Sequence, residues 1–131
     1  MKSILAICTL LLVHALFAAT QRLRPPEKIG CSRDHLTSFS GRVIAFKRDN
    51  KETFLKIRTD EETTETFVLK HPGKDSAVER FLLRGGTFEP TDWNRIEEKK
   101  NKLRRQMRAT VWVCDDGSMP VVDWQPPLSE R

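Results

Sequence analysis

The amino-terminal segment constrains this chain most, because it decides how much of the chain is left to fold and in which compartment. Lys2 is followed by an apolar run from Ile4 to Val13 and then by small residues around Ala18. A basic start, a short apolar middle and a small-residue end are typical of a secretory signal peptide. We therefore predict a signal peptide over residues 1–20, cut between 18 and 21, which leaves about 110 residues to fold.

Two other roles for this segment fit less well. A membrane anchor needs roughly 20 consecutive apolar residues, and this run is interrupted by His14 and followed by Gln21 and Arg22. A lipoprotein needs a cysteine just after the small residues, whereas Cys8 lies inside the apolar run. We expect a periplasmic or secreted protein with no transmembrane segment in the mature chain.

Loss of the signal peptide leaves two of the three cysteines, Cys31 and Cys114. In an oxidising compartment two such cysteines can pair. Metal ligation and a reactive thiol are the alternatives, but neither cysteine has a neighbouring ligand motif. The sequence therefore favours a disulfide between Cys31 and Cys114, which would close a loop of more than eighty residues.

Strand patterns occupy both ends of the mature chain. An extended lead-in with Pro25 and Pro26 covers residues 21–38, since proline resists both helix and ladder hydrogen bonding. β-Branched and aromatic residues, with two-residue alternation, predict strands over 39–48, 53–59, 64–71, 109–114 and 121–124. Gly41 favours a bend in the first strand, and Leu55 and Ile57 should point inward. A polar turn at residues 115–118 predicts a hairpin, and residues 126–131 form a tail.

The middle of the chain has helical spacing instead. Residues 76–83 place apolar side chains three and four apart, and a second stripe follows the start signal at 90–92. The members of that second stripe are Trp93, Ile96, Leu103 and Met107. We expect a helical insertion between the third and fourth strands, and we expect Trp93, Trp112 and Trp124 to belong to the core. Trp124 has an alternative role as a surface anchor for a partner.

This order of elements resembles an OB-fold, a partly open Greek-key barrel of five strands. The resemblance is carried by the bent, glycine-containing first strand, the helix position and the segment LRRQMRATVWV that leads into the fourth strand. It spans Phe39 to Trp124 and concerns the pattern, not one family. We predict a mainly β (α+β) domain over 39–125, a five-stranded OB-like barrel with a helical insertion. The resemblance implies binding of oligonucleotides, sugars or peptides across the second and third strands.

A candidate ligand-binding face follows from the strand alternation. It combines one aromatic residue with four cations, namely Arg42, Phe54, Lys56, Arg58 and Lys70. Such a face can stack a base or sugar ring and hold phosphates. The alternative is an ordinary solvated face whose phenylalanine packs beneath the lead-in. Our first hypothesis is an exported, monomeric binding module for an anionic or sugar-like oligomeric ligand.

The second hypothesis concerns the positive charge of the predicted helix. The chain has 23 Lys and Arg against 18 Asp and Glu, and the excess is concentrated over residues 95–108. An anionic partner could bind there through Lys99, Lys102 and Arg105. In this second hypothesis the protein docks on an envelope or secreted partner protein in a structural or regulatory role. Plain solubility explains the same charges.

Catalysis receives little support from the sequence. His35 and His71 have no nucleophile or metal spacing, and the paired carboxylates fall in polar turns. A calcium loop after Asp115 would need a terminal glutamate that the sequence lacks. We therefore predict a protein that is not an enzyme and that uses no cofactor or metal.

Overall fold

The computed structural model describes residues 24–71 and 78–128. The predicted signal peptide and its cut site, residues 76–77 of the first predicted helix and residues 129–131 of the tail lie outside these ranges. No helix among the described residues is long and apolar enough to cross a membrane.

The described chain is mainly β, as the sequence predicts. Its strands are β1 (Leu36–Arg48), β2 (Glu52–Thr59), β3 (Thr64–Lys70), β4 (Phe81–Leu83), β5 (Gly86–Thr87), β6 (Glu97–Lys99), β7 (Lys102–Leu103), β8 (Arg108–Cys114) and β9 (Val121–Gln125). Short 3₁₀ turns occupy Arg33–His35, Val78–Arg80 and Pro90–Asp92, and a single-turn helix, α1, occupies Trp93–Ile96.

Seven of these strands form one mixed sheet, in the order β3-β2-β1-β8-β9-β4-β5, and β6 pairs with β7 separately. The first half of β1 pairs with β8 and its second half with β2, with a bulge between Val43 and Ala45. The β4–β9 pair is parallel, whereas the other pairs in this sheet are antiparallel. Because β3 and β5 are edges, the sheet is not closed, and it has seven strands, so the prediction of a five-stranded OB-like barrel is not confirmed.

Gly41 sits where β1 passes from one partner to the other, in register with both Thr59 and Ala109. A Cβ at this position would lie 2.1 Å from the backbone oxygen of Arg58. The residue is therefore required for the close approach of two strands. The bulge in β1 lies three residues beyond Gly41, at Ile44.

The core lies against one face of the sheet. Leu55 and Ile57 point into it, as predicted, together with Val111 and Val122. Aromatic rings fill the space between the sheet and the connecting segments, and neighbouring ring centroids lie 5.1–6.2 Å apart; these rings are Phe46, Phe81, Phe88, Trp93 and Trp124. Since Trp124 is fully buried, the alternative of a surface anchor is wrong.

The prediction of a long helix through residue 107 is wrong. The helix ends at Ile96, and β6 and β7 form a hairpin with a tight turn in which Asn101 has φ +66°. Ile96 and Met107 are nevertheless buried, as the stripe predicted. Glu97 explains the change, because its buried carboxylate accepts hydrogen bonds from the Arg48 side chain and from the Asn101 backbone N–H. A continuous helix would lack the turn at Asn101, and with it the hydrogen bond from the Asn101 N–H to Glu97.

The described part of the other predicted helix, residues 78–83, does not form an α-helix either. After the 3₁₀ turn Val78–Arg80, β4 runs parallel to β9. Phe81 joins the core, whereas Leu82 packs on the opposite face with Trp112 and Val121. This segment has apolar residues on both faces of the sheet. Their spacing therefore resembles that of a helix although the segment contains a strand.

The predicted disulfide is present between Cys31 and Cys114, whose Cα atoms are 6.1 Å apart. It joins the lead-in to the end of β8. Beside it, Ile29 and Leu36 pack against the small outer cluster formed by Leu82, Trp112 and Val121. The lead-in is thus attached to the β8–β9–β4 part of the sheet.

Candidate functional site

The five residues of the predicted ligand face lie on one side of the β1, β2 and β3 strands. Arg42 stands opposite Arg58, and Glu52 stands opposite Lys70. Residues in register on antiparallel strands share a face, and so do alternate residues of one strand. Phe54 and Lys56 therefore lie on the same side as Arg58, opposite to the buried Leu55 and Ile57. We call this side the β1–β3 outer face.

The β1–β3 outer face also includes Ile44, Lys47 and Val68, which the sequence did not indicate, and the acidic residue Glu52. Ile44 and Val68 are 48% and 46% exposed, and Val68 stands opposite the half-buried Phe54. Lys47 also stands opposite Phe54. The alternation of β3 could have found Val68. It could not have found Lys47, because the bulge in β1 moves this residue to the outer face.

The cations of the β1–β3 outer face outnumber its carboxylates, of which Glu52 stands opposite Lys70. No ion pair within 4.0 Å joins them to an acidic group of residues 24–71 or 78–128; the cations are Arg42, Lys47, Lys56, Arg58 and Lys70. The guanidinium of Arg58 donates instead to the Thr64 hydroxyl at 3.4 Å. The face therefore presents a positive potential around an apolar centre, which we define as Ile44, Phe54 and Val68.

The described lead-in does not cover this face. Arg24 to Lys28 border a groove of about 600 Å³ on another part of the sheet, lined by Thr110, Trp112 and Asp123. Ile29 packs in the outer cluster next to that groove. The alternative in which Phe54 packs beneath the lead-in is therefore wrong for the residues that the structure describes.

The polar floor of this groove is largely satisfied by its own side chains. Thr110 makes hydrogen bonds with Ser40 at 2.8 Å and with Gln125 at 3.2 Å. Asp123 is 7% exposed and accepts a hydrogen bond from the backbone N–H of Gly85. Burial raises the pKa of Asp123, although the bonds from Gly85 and Gln125 oppose this. Asp123 is thus a buried carboxyl whose acceptor capacity is used by groups of the chain itself.

The three residues of the predicted anionic-partner site do not form one cluster. Lys99 and Lys102 stand on the exposed hairpin, where Lys102 pairs with Glu98 at 3.1 Å. Arg105 follows the hairpin and lines a separate groove with Arg104. The predicted basic helix that would present all three on one surface does not form.

The two described histidines lie in unrelated surroundings. His35 is exposed, and the hydrogen bond and negative charge of Asp115, 2.8 Å away, raise its pKa. His71 is buried, and its Nε2 lies 3.3 Å from the hydroxyl of the fully buried Thr53. A hydroxyl so enclosed is not open to substrate. Within residues 24–71 and 78–128, no group of three or more potential ligands could hold a metal ion.

Comparisons with known protein families, with curated proteins and with solved structures found no match to this chain. The fold and the site define a mainly β, disulfide-linked protein with a basic, partly apolar sheet face.

Proposed function

We propose that this protein is an exported binding module and that its β1–β3 outer face binds an extended anionic or sugar-like oligomer. The observation that supports this most is the shared orientation of the five predicted residues around an exposed apolar centre. Apolar side chains beside cations that make no ion pair within 4.0 Å suit a ligand that has both ring and anionic groups. The disulfide is in keeping with export, because such bonds persist in oxidising compartments.

The distances within a sheet suggest how such a ligand would lie. Neighbouring strands are about 4.8 Å apart, and alternate residues of a strand are about 6.6 Å apart. Arg42 and Arg58 stand at one end of the face, Lys56 in the middle and Lys70 at the other end. Charged groups of an oligomer would follow this row, while Phe54 stacks against a base or sugar ring.

We also propose that the sheet is an OB-like arrangement that is left open. Its support is the long β1, which bends at a bulge and pairs with β2 over one half and β8 over the other. The β8–β9 hairpin follows as the resemblance implies. The added β4 and β5 strands extend the sheet beyond five strands. The docking hypothesis, in contrast, gains no support from Lys102, which is paired with Glu98.

The test is replacement of two cations from the centre of the face. We expect Lys56→Ala with Arg58→Ala to weaken binding of a fluorescein-labelled 12-nucleotide thymidine strand and of a sulfated oligosaccharide at least tenfold. For the nucleotide, the slope of log affinity against log salt should fall by about 1.4, since each lost phosphate contact contributes about 0.7. Fluorescence anisotropy at several salt concentrations measures both quantities.

The matched control removes two cations from another exposed surface. The variant Lys99→Ala with Lys102→Ala changes the net charge equally but leaves the β1–β3 outer face intact. It should bind both probes within twofold of the unchanged protein. Equal affinity of the folded K56A/R58A variant, or an equal loss in the control, would refute the proposal.

A further inference from the structure

Four arginines from three separate segments of the chain meet around the end of the described chain. Two grooves, of about 340 and 470 Å³, flank residues 126–128 and share Arg95 and Arg104 in their walls. Arg84 completes the first groove and Arg105 the second. We call the two grooves together the arginine cleft. It uses no residue of the β1–β3 outer face.

The arginines of the cleft have neutral carbonyl groups, not carboxylates, as their hydrogen-bond partners. No aspartate or glutamate lines either groove, and none of the four arginines pairs with a carboxylate of the described chain within 4.0 Å. Arg104 Nε donates instead to the carbonyl oxygen of Asn94 at 2.9 Å. The guanidinium of Arg84 donates to the carbonyl of Pro126. These bonds fix the direction of two side chains without cancelling their charge.

The backbone also positions these arginines. The N–H of Arg84 donates to the carbonyl of Trp124, and the N–H of Arg104 to that of Ile96, both at 2.9 Å. Arg84 and Gln106 have φ of +48° and +57°, a left-handed conformation that is unfavourable for side chains other than glycine. Both residues lie in turns, and such conformations persist where the surrounding structure enforces them. The backbone bonds of Arg84 and Arg104 to Trp124 and Ile96 attach the cleft to two buried residues of the core.

We propose that the arginine cleft binds a multiply charged oxyanion of the phosphate class, either free or as an ester. The planar guanidinium presents paired N–H donors that match the oxygens of phosphate. Arg95 and Arg105 line the second groove, are exposed, and make no side-chain hydrogen bond within the described residues, so their donors are available to an anion. A bound anion would also relieve the mutual repulsion of four cations.

The test uses the signal-free chain with its disulfide intact and inorganic pyrophosphate as the probe. Isothermal titration calorimetry should show saturable binding that sodium chloride at equal ionic strength does not reproduce. The variant Arg95→Gln with Arg105→Gln should raise the dissociation constant at least tenfold. The control, Lys99→Gln with Lys102→Gln, removes the same charge from the adjacent hairpin and should change it less than twofold.

Two outcomes would overturn this proposal: no saturable binding of pyrophosphate, or an equal loss of affinity in R95Q/R105Q and in the control. Comparison of inorganic phosphate with methyl phosphate distinguishes the two sources. Comparable binding of both assigns the cleft to phosphate esters, and exclusion of the ester assigns it to free phosphate species. The K56A/R58A variant should still bind pyrophosphate, so failure of one proposal is separable from failure of the other.

Discussion

Two aspartates show how local surroundings give the same side chain opposite effects on stability. Asp123 is buried on β9, where loss of water raises its pKa even though it accepts a hydrogen bond from Gly85. Asp116 is exposed in the β8–β9 turn, and hydrogen bonds from Ser118 lower its pKa. The ionised form is thus disfavoured at Asp123 and favoured at Asp116 when the chain folds.

We predict that Asp123→Asn raises the free energy of unfolding at neutral pH. Between the ordinary pKa of 3.8 and the raised folded value, the folded state binds more protons than the unfolded state, so stability falls as pH rises through this window. Asparagine retains the acceptor for Gly85 but has no proton to lose. Urea unfolding from pH 3 to pH 7 should therefore show a difference that appears only as pH rises.

Asp116→Asn is the control of opposite sign. Its lowered pKa contributes stability above the ordinary value, and this contribution is lost as pH falls. The variant should be less stable than the unchanged chain at neutral pH and equal to it in acid. A pH-independent difference for Asp123→Asn would contradict the assignment of its raised pKa.

At the level of elements, strand alternation correctly predicted the inward-facing and outward-facing residues of β2 and of the first half of β1. It placed Leu55 and Ile57 in the core and put Arg42, Phe54 and Lys56 on the other side. It could not anticipate the bulge at Ile44, which reverses the facing of every later residue of β1. Alternation has a period of two, so one inserted residue changes the face without changing the pattern.

The helix prediction failed for a different reason. Trp93, Ile96, Leu103 and Met107 reach the core in the observed structure, so their spacing described burial correctly. A tight hairpin and a helix can bury the same residues. Which of the two forms depends on contacts with residues that are distant in the sequence. Here Arg48 of β1 binds the buried Glu97 and lies 4.2 Å from the centre of the Trp93 ring.

We predict that Glu97→Ala lowers the free energy of unfolding by about 1.5 to 3 kcal/mol, because it removes the charged acceptor of the Arg48 side chain and of the Asn101 backbone N–H. The Arg48 side chain is 27% exposed, so water replaces part of what it loses. Glu97 is 5% exposed and accepts two bonds from Arg48, at 2.9 and 2.6 Å. Its neighbour Glu98 pairs with Lys102 on the surface, and Glu98→Ala should cost less than about 1 kcal/mol. Urea denaturation measures both. Equal costs would show that the buried pair does not hold the hairpin in place.

At the level of the whole molecule, the sheet has one side devoted to the core and one divided side. The described lead-in packs over the β8–β9–β4 half of that second side, whereas no segment within residues 24–71 and 78–128 is seen to pack over the apolar centre of the β1–β3 half. The sequence predicted which residues share the β1–β3 outer face, because these residues lie on adjacent strands, but it left open whether that face is covered. Of the arginine cleft it named only Arg105 for an anionic partner, since the cleft gathers residues 84, 95, 104 and 105 through the path of the chain.

The disulfide determines how firmly the lead-in is attached to this divided side. Cys31 and Cys114 are 83 residues apart in sequence, and release of so long a loop enlarges the unfolded ensemble. We predict that Cys31→Ser with Cys114→Ser lowers the free energy of unfolding by about 2 to 5 kcal/mol. Trypsin should also cut the folded variant faster at Lys28, because Ile29 would leave Trp112 more readily.

Ile29→Ala separates the two effects, since it removes packing from the outer cluster but keeps the covalent link. It should accelerate cleavage at Lys28 while lowering the free energy of unfolding by only about 1 to 2 kcal/mol, because Ile29 is partly exposed. If the double serine variant is destabilised no more than Ile29→Ala, the disulfide stabilises the chain through local packing and not through loop closure. A loss clearly above that of Ile29→Ala assigns the difference to the long closed loop.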